Sequence, residues 1–373
     1  MFLGLGASGQ TPPGPAAAPP QNGPKDLMLL AARTSNLTSE GAKPWHIKVS
    51  FTIYKEDGSI EDQGLIEEYW ASPNRYKLIT TGKDFTQTIF ETPDGQFRSG
   101  KQEFLLATYH DAIAQMTEPI PSPGAVNTTN FNVQEQVNGT AKLSCVEPTG
   151  SNSGLLAAYC LAGSPPIARI VVYNGQDGFQ AMRNRIQPYQ DRFVAGDVIF
   201  RKQGKTLLTS HLESIEPLAS VDESLFAPSD DAALLVVSSK TPVQPVDHKP
   251  PEYPRIARTA HVQGPVLIQA RIGKDGKPVD LKVIGGPEML RQPSLDAVRE
   301  WKYRPYLIKG KAVEFIVLVA LNFNGNGFVD PNTAQAPAAP SPSCSSDDYH
   351  GQGSGCSMTV TRSGNMIYVT PPR

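Results

Sequence analysis

The four cysteines are the residues whose type and spacing could do covalent chemistry. They lie in two local pairs, Cys145 with Cys160 and Cys344 with Cys356. No Cys-x-x-Cys motif occurs and no histidine stands beside them at metal-ligand spacing, so the sequence predicts no metal site. Oxidation within each pair would give two disulfides, which suit an oxidising compartment such as the periplasm. Four free, buried thiols are the alternative that the spacing leaves open.

Catalytic chemistry finds little support in the remaining polar residues. The histidines are dispersed and neighbour no nucleophile signature: His46, His110, His211, His248, His261 and His350. The chain has no Gly-x-Ser-x-Gly, no His-Glu-x-x-His and no phosphate-cradling glycine loop. Glu67 and Glu68 are adjacent, so in a strand their carboxylates point to opposite faces and cannot share a proton. We therefore expect a protein that is not an enzyme and needs no cofactor, while a site assembled from distant residues stays open.

Main-chain hydrogen bonding at an open strand edge is the other chemistry that the sequence offers. Apolar residues alternate with period two from Val266 to Ile272, and Asp275-Gly276 is a hairpin signal. Apolar residues then recur at helical spacing through Met289–Trp301, and a last apolar strand runs from Phe315 to Phe323. These elements predict a small αβ domain, a two- to three-stranded antiparallel sheet with one packed helix. One edge of so small a sheet is open to a visiting strand.

The order of these motifs resembles the C-terminal domain of TonB-type energy transducers. The resemblance rests on Tyr253-Pro254, Asp275-Gly276, Trp301-x-Tyr303-x-Pro305 and the closing strand. It implies binding of a short extended segment at the N-terminus of an outer-membrane TonB-dependent receptor, in support of energy-dependent transport across the outer membrane. The implied contact residues are Pro251, Tyr253, Pro254, Phe315, Val317, Val319, Leu321 and Phe323. The alternative is that Tyr253 and Trp301 are core residues and that the final strand is covered. For Trp301 we expect the core.

The resemblance also implies contact with inner-membrane motor proteins, because a full transducer carries an N-terminal membrane helix. The longest apolar stretches here are six to eight residues, against ~20 for a spanning helix. Anchoring is therefore left unexplained by the sequence.

The preceding 26–229 segment predicts an antiparallel β half-barrel with a helix, which makes the whole chain α+β. The stretch from His46 to Ile53 alternates, short strands joined by turns follow, and Glu103–Met116 is typical of a helix. The run from Glu67 to Lys77 and the Asp222-Glu-Ser-Leu-Phe-Ala-Pro terminus resemble LolA-like periplasmic lipoprotein carriers. This resemblance implies an apolar cavity, with a lipid or lipoprotein as the alternative partner. The interpretation that the pattern favours is an inert scaffold filled by its own apolar side chains.

The domain organisation follows from these readings and from composition. We expect a truncated signal segment and Pro/Ala-rich spacer at 1–25, the half-barrel at 26–229, a linker at 230–249, the TonB-like domain at 250–325, and a Pro/Ala-rich tail with a disulfide-closed loop and hairpin at 326–373. The expected location is the periplasm or cell envelope. Between Lys240 and Asn324 there are 14 Lys and Arg against 8 Asp and Glu, a net of +6, and the rest carries 20 against 28, a net of -8. The basic residues are scattered without a recognition pattern, so no nucleic-acid partner is expected.

Overall fold

The structure is a computed structural model that describes residues 23–100, 107–138, 141–149, 157–173, 179–236, 243–324, 327–329, 359–363 and 366–370. Within these ranges one sheet of 17 strands runs through both halves of the chain, accompanied by several two-stranded ladders. Helices are few and short. The expected α+β class is confirmed.

The N-terminal half consists of antiparallel strands that follow one another along the chain. They are β1 (Trp45–Tyr54), β2 (Ile60–Ser72), β3 (Arg75–Thr81), β4 (Thr86–Thr92), β5 (Gly95–Gly100), β6 (Asn130–Asn138), β7 (Ala141–Thr149), β8 (Ala157–Ala162), β9 (Ile167–Tyr173), β10 (Gln180–Asn184), β11 (Gln187–Tyr189), β12 (Arg192–Val194), β13 (Asp197–Lys202) and β14 (Lys205–Pro217). Its helices are α1 (Pro24–Ser35), α2 (Ala107–Thr117), α3 (Pro123–Asn127) and α4 (Glu223–Phe226). Neighbouring strands pair in the order β5-β4-β3-β2-β1-β14-β13-β10-β9-β8-β7-β6, while β11 and β12 form a separate hairpin.

Helices α1 and α2 pack against one face of this open sheet. Their buried residues Met28, Ala31 and Met116 belong to one apolar cluster with Ile47 and Val49 of β1. The alternation expected for β1 is thus the real burial pattern, because successive side chains of a strand point to opposite faces. The half-barrel with a helix inside is confirmed.

The C-terminal half is a smaller layer with one packed helix. Its elements are β16 (Pro245–Asp247), α5 (Arg255–Thr259), β17 (Gly264–Ile272), β18 (Pro278–Gly285), α6 (Glu288–Arg299), β19 (Lys302–Tyr303), β20 (Tyr306–Ile308), β21 (Lys311–Val313), β22 (Phe315–Asn324) and β23 (Gly327–Val329). β17 pairs with β18 on one side and with β22 along its whole length on the other, both antiparallel. Pro293 lies inside α6, where its ring removes one main-chain hydrogen bond. The expected small antiparallel sheet with one packed helix is confirmed, and β23 extends it by pairing with the end of β22.

A short strand, β15 (Ala233–Val236), joins the two halves. It lies within the segment expected to be a linker, 230–249. It pairs antiparallel with β5 and parallel with β22, so that the two sheets form one.

Several strands of the N-terminal half were not predicted from the sequence. The β6–β7 hairpin and β8 were not anticipated. At the C-terminus the expected hairpin is present as β24 (Thr359–Ser363) and β25 (Met366–Thr370). Cys344 and Cys356 lie outside the described residues.

Candidate functional site

The closing strand β22 buries one face completely. Phe315, Val317, Val319, Leu321 and Phe323, the five strand residues expected to contact a partner, are between 0 and 8% exposed. They form one apolar cluster with Leu290 and Val298 of α6. These side chains therefore hold the domain together and are not available to a partner.

The Pro-rich approach to this domain is also packed inward. Tyr253 is 7% exposed, its hydroxyl donates to the carbonyl of Val262 at 2.8 Å, and its ring meets that of Phe323 edge-on. Pro251 is buried, and Pro254 is half-buried at the residue preceding α5. Tyr253 is thus an internal anchor of the approach segment at the end of β22.

The hairpin between β17 and β18 is fixed by the segment after α6. Gly276 adopts φ +81°, and a Cβ placed there would lie 2.0 Å from the carbonyl oxygen of Tyr303. The Tyr303 amide donates to the Gly276 carbonyl at 2.8 Å. Trp301 is 3% exposed, as expected for a core residue, and its indole N–H donates to the Lys249 carbonyl at 2.9 Å. The Trp-x-Tyr motif thus holds the turn and the approach segment in place.

The direction of the main-chain groups along β22 follows from the β15 ladder. The Leu234 amide donates to the Glu314 carbonyl at 2.8 Å, and the parallel register pairs Leu234 with Phe315 and Leu235 with Ile316. In such a ladder alternate residues direct both main-chain groups to the same neighbour. The amide and carbonyl groups of the even-numbered residues of β22 therefore point to the outer edge of the strand, away from β17. The amide and carbonyl groups of the odd-numbered residues point to β17.

The outer edge of β22 carries partner strands at both ends. β15 covers the stretch from Phe315 to Val317, and β23 covers the stretch from Asn322 to Asn324. Between them lies Leu318–Leu321, where the described part of the chain pairs no strand on the outer side. Among the described residues, the edge expected to be open along the whole strand is therefore unpaired over its middle only. The outer edge of β18 also has no strand paired to it in the described residues.

A charged cluster surrounds the point where β15 meets β22. The Arg271 guanidinium donates to the Glu314 carboxylate, at 2.7 Å from Nε, and to the carbonyl of Asp231 at 3.0 Å. The Asp231 carboxylate accepts a hydrogen bond from the Gly100 amide at 3.3 Å. A hydrogen bond with the Ser229 side chain is the main cause that holds the pKa of Asp231 below its ordinary value, and the Gly100 bond lowers it further. This cluster was not predicted from the sequence. The uncharged run from Ala232 to Val237 was the signal that could have shown a buried strand here.

The interior of the half-barrel is partly polar. Glu68, Tyr76, Glu91, Gln96 and Arg98 are all buried, and strand register places them on the same face as the apolar core. Burial raises the pKa of Glu68 to about 8, with a further contribution from Glu118. Burial also lowers the pKa of Arg98 to about 10. This wall is more polar than the lining that an acyl chain needs, because polar groups have a desolvation cost beside hydrocarbon.

The cysteine pair Cys145 and Cys160 forms a disulfide between directly opposed residues of β7 and β8. Both sulfur-bearing residues are buried. This pairing is the one expected from the sequence.

One polar cleft lies on the outer face of the half-barrel. Asp197 accepts hydrogen bonds from Arg185 and contacts His211 at 2.8 Å, and these groups lower its pKa, Arg185 most strongly. Ser50 stands opposite His211 on β1 but donates to Glu213 at 2.6 Å. This serine is thus engaged elsewhere, and the cluster shows no activated nucleophile.

Helices long and apolar enough to cross a membrane are absent from the part of the chain that the structure describes.

Comparison with known proteins finds a family match in the C-terminal part of the chain. Residues 249–324 match the family described as Gram-negative bacterial TonB protein C-terminal. Protein TonB of Vibrio cholerae is 29% identical over 79 residues, which make up 21% of this chain and 32% of that protein. The match thus spans about a third of that relative's length.

Solved structures match each half separately. The solution structure of the Pseudomonas aeruginosa TonB CTD is 22% identical, with a TM-score of 0.20, and covers 27% of this chain and 96% of its own. A LolA superfamily protein from Nitrosomonas europaea is 8% identical, with a TM-score of 0.39, and covers 55% of this chain and 97% of its own. Residues 249–324 of this chain are thus similar to the C-terminal domain of Gram-negative bacterial TonB proteins.

Proposed function

We propose that this chain binds short extended peptide segments by strand addition to the outer edge of β22. The partner is the N-terminal segment of an outer-membrane TonB-dependent receptor, and the site of action is the periplasmic side of the cell envelope. The role is in transport across the outer membrane and involves no reaction step. Inner-membrane motor proteins are the further partners that such a role requires.

One observation carries the proposal. The outer edge of β22 takes up β15, a segment from outside the TonB C-terminal domain, in regular parallel register. An edge that pairs with one extended apolar segment offers the same main-chain groups to another, and main-chain bonds supply affinity in strand addition. The side chains of the odd-numbered residues of β22 pack against α6 and hold the strand in place while its outer edge pairs.

The test is one proline substitution at this edge, with a glycine substitution at the same position as the matched control. Ala320 is exposed and even-numbered, so its amide faces outward. Ala320→Pro deletes that donor and is tolerated at an edge, whereas Ala320→Gly keeps it. We expect peptides from receptor N-termini to bind the full chain and the glycine variant alike in fluorescence anisotropy, and the proline variant about tenfold more weakly, as for loss of one to two hydrogen bonds. Equal binding to all three proteins would exclude this edge.

A lipoprotein-carrier role for the N-terminal half is the second candidate. The arrangement of a curved sheet around helices favours it, while the buried Glu68, Glu91 and Arg98 on the inner face count against it. Mass spectrometry of organic extracts from the purified protein is the test. Stoichiometric recovery of a lipid supports carriage, and a lipid-free protein that binds no hydrophobic dye removes it.

A further inference from the structure

The strand β15 occupies the site assigned above to the guest. It precedes the TonB C-terminal domain in the chain, yet it supplies three residues that pair with Phe315, Ile316 and Val317 on the outer edge of β22. A guest strand that used the full length of this edge would need the same main-chain groups. The two segments therefore compete for one ladder.

The surroundings of β15 define the chemistry that this position accepts. Leu234 is 3% exposed and lies in one apolar cluster with Phe90 and Phe97 of the half-barrel and with Phe315. Ala233 and Leu235 point to the other face and pack on Ile316. Both faces of the segment are thus buried, so a charge at any of these positions would be desolvated.

Few residue pairs hold β15 in the sheet. Two residue pairs join it to β5 and three join it to β22, and its own length is four residues. Segments with so few ladder bonds open at lower free energy than the long strands around them. Exchange with another strand is therefore feasible without unfolding either half.

We propose that β15 is a built-in substitute for the guest strand, and that the external partner displaces it. This inference rests on the proposed function. It specifies the partner as a short, uncharged segment of aliphatic residues that runs parallel to β22 at Phe315–Val317. Displacement also separates β22 from β5, so binding of the partner disconnects the C-terminal sheet from the half-barrel.

The first experiment locks the strand in place. Leu235 and Ile316 are directly opposed and share one buried cluster, so a Leu235→Cys/Ile316→Cys pair is placed for a disulfide. The full chain is measured in oxidised and reduced forms, with the wild type under the same conditions as control. We expect receptor N-terminal peptides to bind the reduced protein and to lose about tenfold or more in affinity when the lock is closed, because the binding-competent fraction falls.

The second experiment releases the strand and uses a different probe. Leu234→Asp places a charge in the apolar cluster and frees β15. A fluorescein-labelled peptide with the chain's own sequence from Asp230 to Val237 is expected to bind this variant about tenfold more tightly than the wild type. The same peptide with aspartate in place of its first leucine serves as the control and is expected not to bind.

The outcomes separate the two proposals. Binding of the chain's own peptide to the released variant, with no binding of receptor peptides to any form, supports the exchange site and removes the receptor role. Equal binding of receptor peptides to the locked and reduced proteins overturns the exchange site and moves the receptor role to another edge. If Leu234→Asp fails to fold, the lock alone decides.

Discussion

Within a single strand, the position of a residue sets two directions at once. In β22 the odd-numbered residues point their side chains at α6 and their amides at β17, whereas Leu318 and Ala320 direct their amides to the outer edge. Alternation in the sequence identifies the two classes of residue. It does not reveal which class faces an open edge, because that depends on which neighbour each edge acquires. The side chains of the apolar residues expected at the interface therefore lie in the core. A proline at Val317 would remove a hydrogen bond of the ladder between β22 and β17.

A glycine pair tests how closely the TonB-like hairpin is packed. Gly276 and Gly310 have the same backbone conformation, φ +81° and +80°, but a Cβ at Gly310 meets nothing within 4 Å. Gly310→Ala should cost about 1 kcal/mol through backbone strain alone. Gly276→Ala should cost clearly more, because its Cβ would collide with the Tyr303 carbonyl.

Urea unfolding monitored by circular dichroism measures both glycine variants. Equal losses of stability would show that the approach of the Tyr303 segment to the turn contributes nothing.

The buried carboxyl of Glu68 predicts a pH dependence of stability. Its pKa is raised to about 8, so the folded protein keeps a proton that the unfolded chain has already lost. Stability contributed by this group is complete below the ordinary pKa of a glutamate and declines as pH rises towards 8. Glu68→Gln should therefore flatten the fall in urea midpoint between about pH 5 and about pH 8.

The control for that measurement is Glu61→Gln, an exposed carboxyl on the same strand. It should retain the wild-type slope. A slope that persists in Glu68→Gln would mean that other groups set the pH dependence.

Among the secondary-structure elements, sequence reasoning succeeded where a pattern was long and regular. β1, the β17–β18 hairpin, α6 and β22 carry clear periods and were all anticipated. β15 was not, because four apolar residues fit a buried strand or a buried helix equally well and its partners lie far away in the chain. β6 was missed for the opposite reason: its side chains are largely exposed, with Val137 73% accessible, so burial leaves no pattern to read.

The disulfide between β7 and β8 is the element-scale feature open to direct measurement. It closes a loop with a sequence separation of 15 residues, which in the chain-entropy estimate stabilises the fold by about 3 kcal/mol. The Cys145→Ala/Cys160→Ala variant should lose stability of that order in urea unfolding. Alkylation of the unfolded, unreduced wild type should leave both sulfurs unlabelled by mass spectrometry, and labelling there would contradict the bond.

At the scale of the whole molecule, one sheet passes through two structural units. In the described residues β15 is the strand that pairs with both, and it is assisted by the mixed cluster of Phe90, Phe97 and Leu234 and by the Lys309–Asp94 ion pair at 2.7 Å. A single sheet favours shared stability, because opening one half exposes the edge and the apolar surface of the other. We therefore expect hydrogen exchange in β17 and β22 to occur with the same free energy as in β1 and β14.

Release of β15 should abolish that equality. Leu234→Asp is expected to speed exchange in β17 and β22 while leaving β1 and β14 unchanged, as followed by mass spectrometry of peptic fragments. Leu307→Asp is the matched control, since it adds the same charge to the C-terminal half at a side chain that is 60% exposed and distant in sequence from β15. The same acceleration in both variants would trace the effect to charge. Acceleration in all four strands would show that β15 stabilises the whole molecule. Only faster exchange confined to β17 and β22 fits a strand that an external partner can displace.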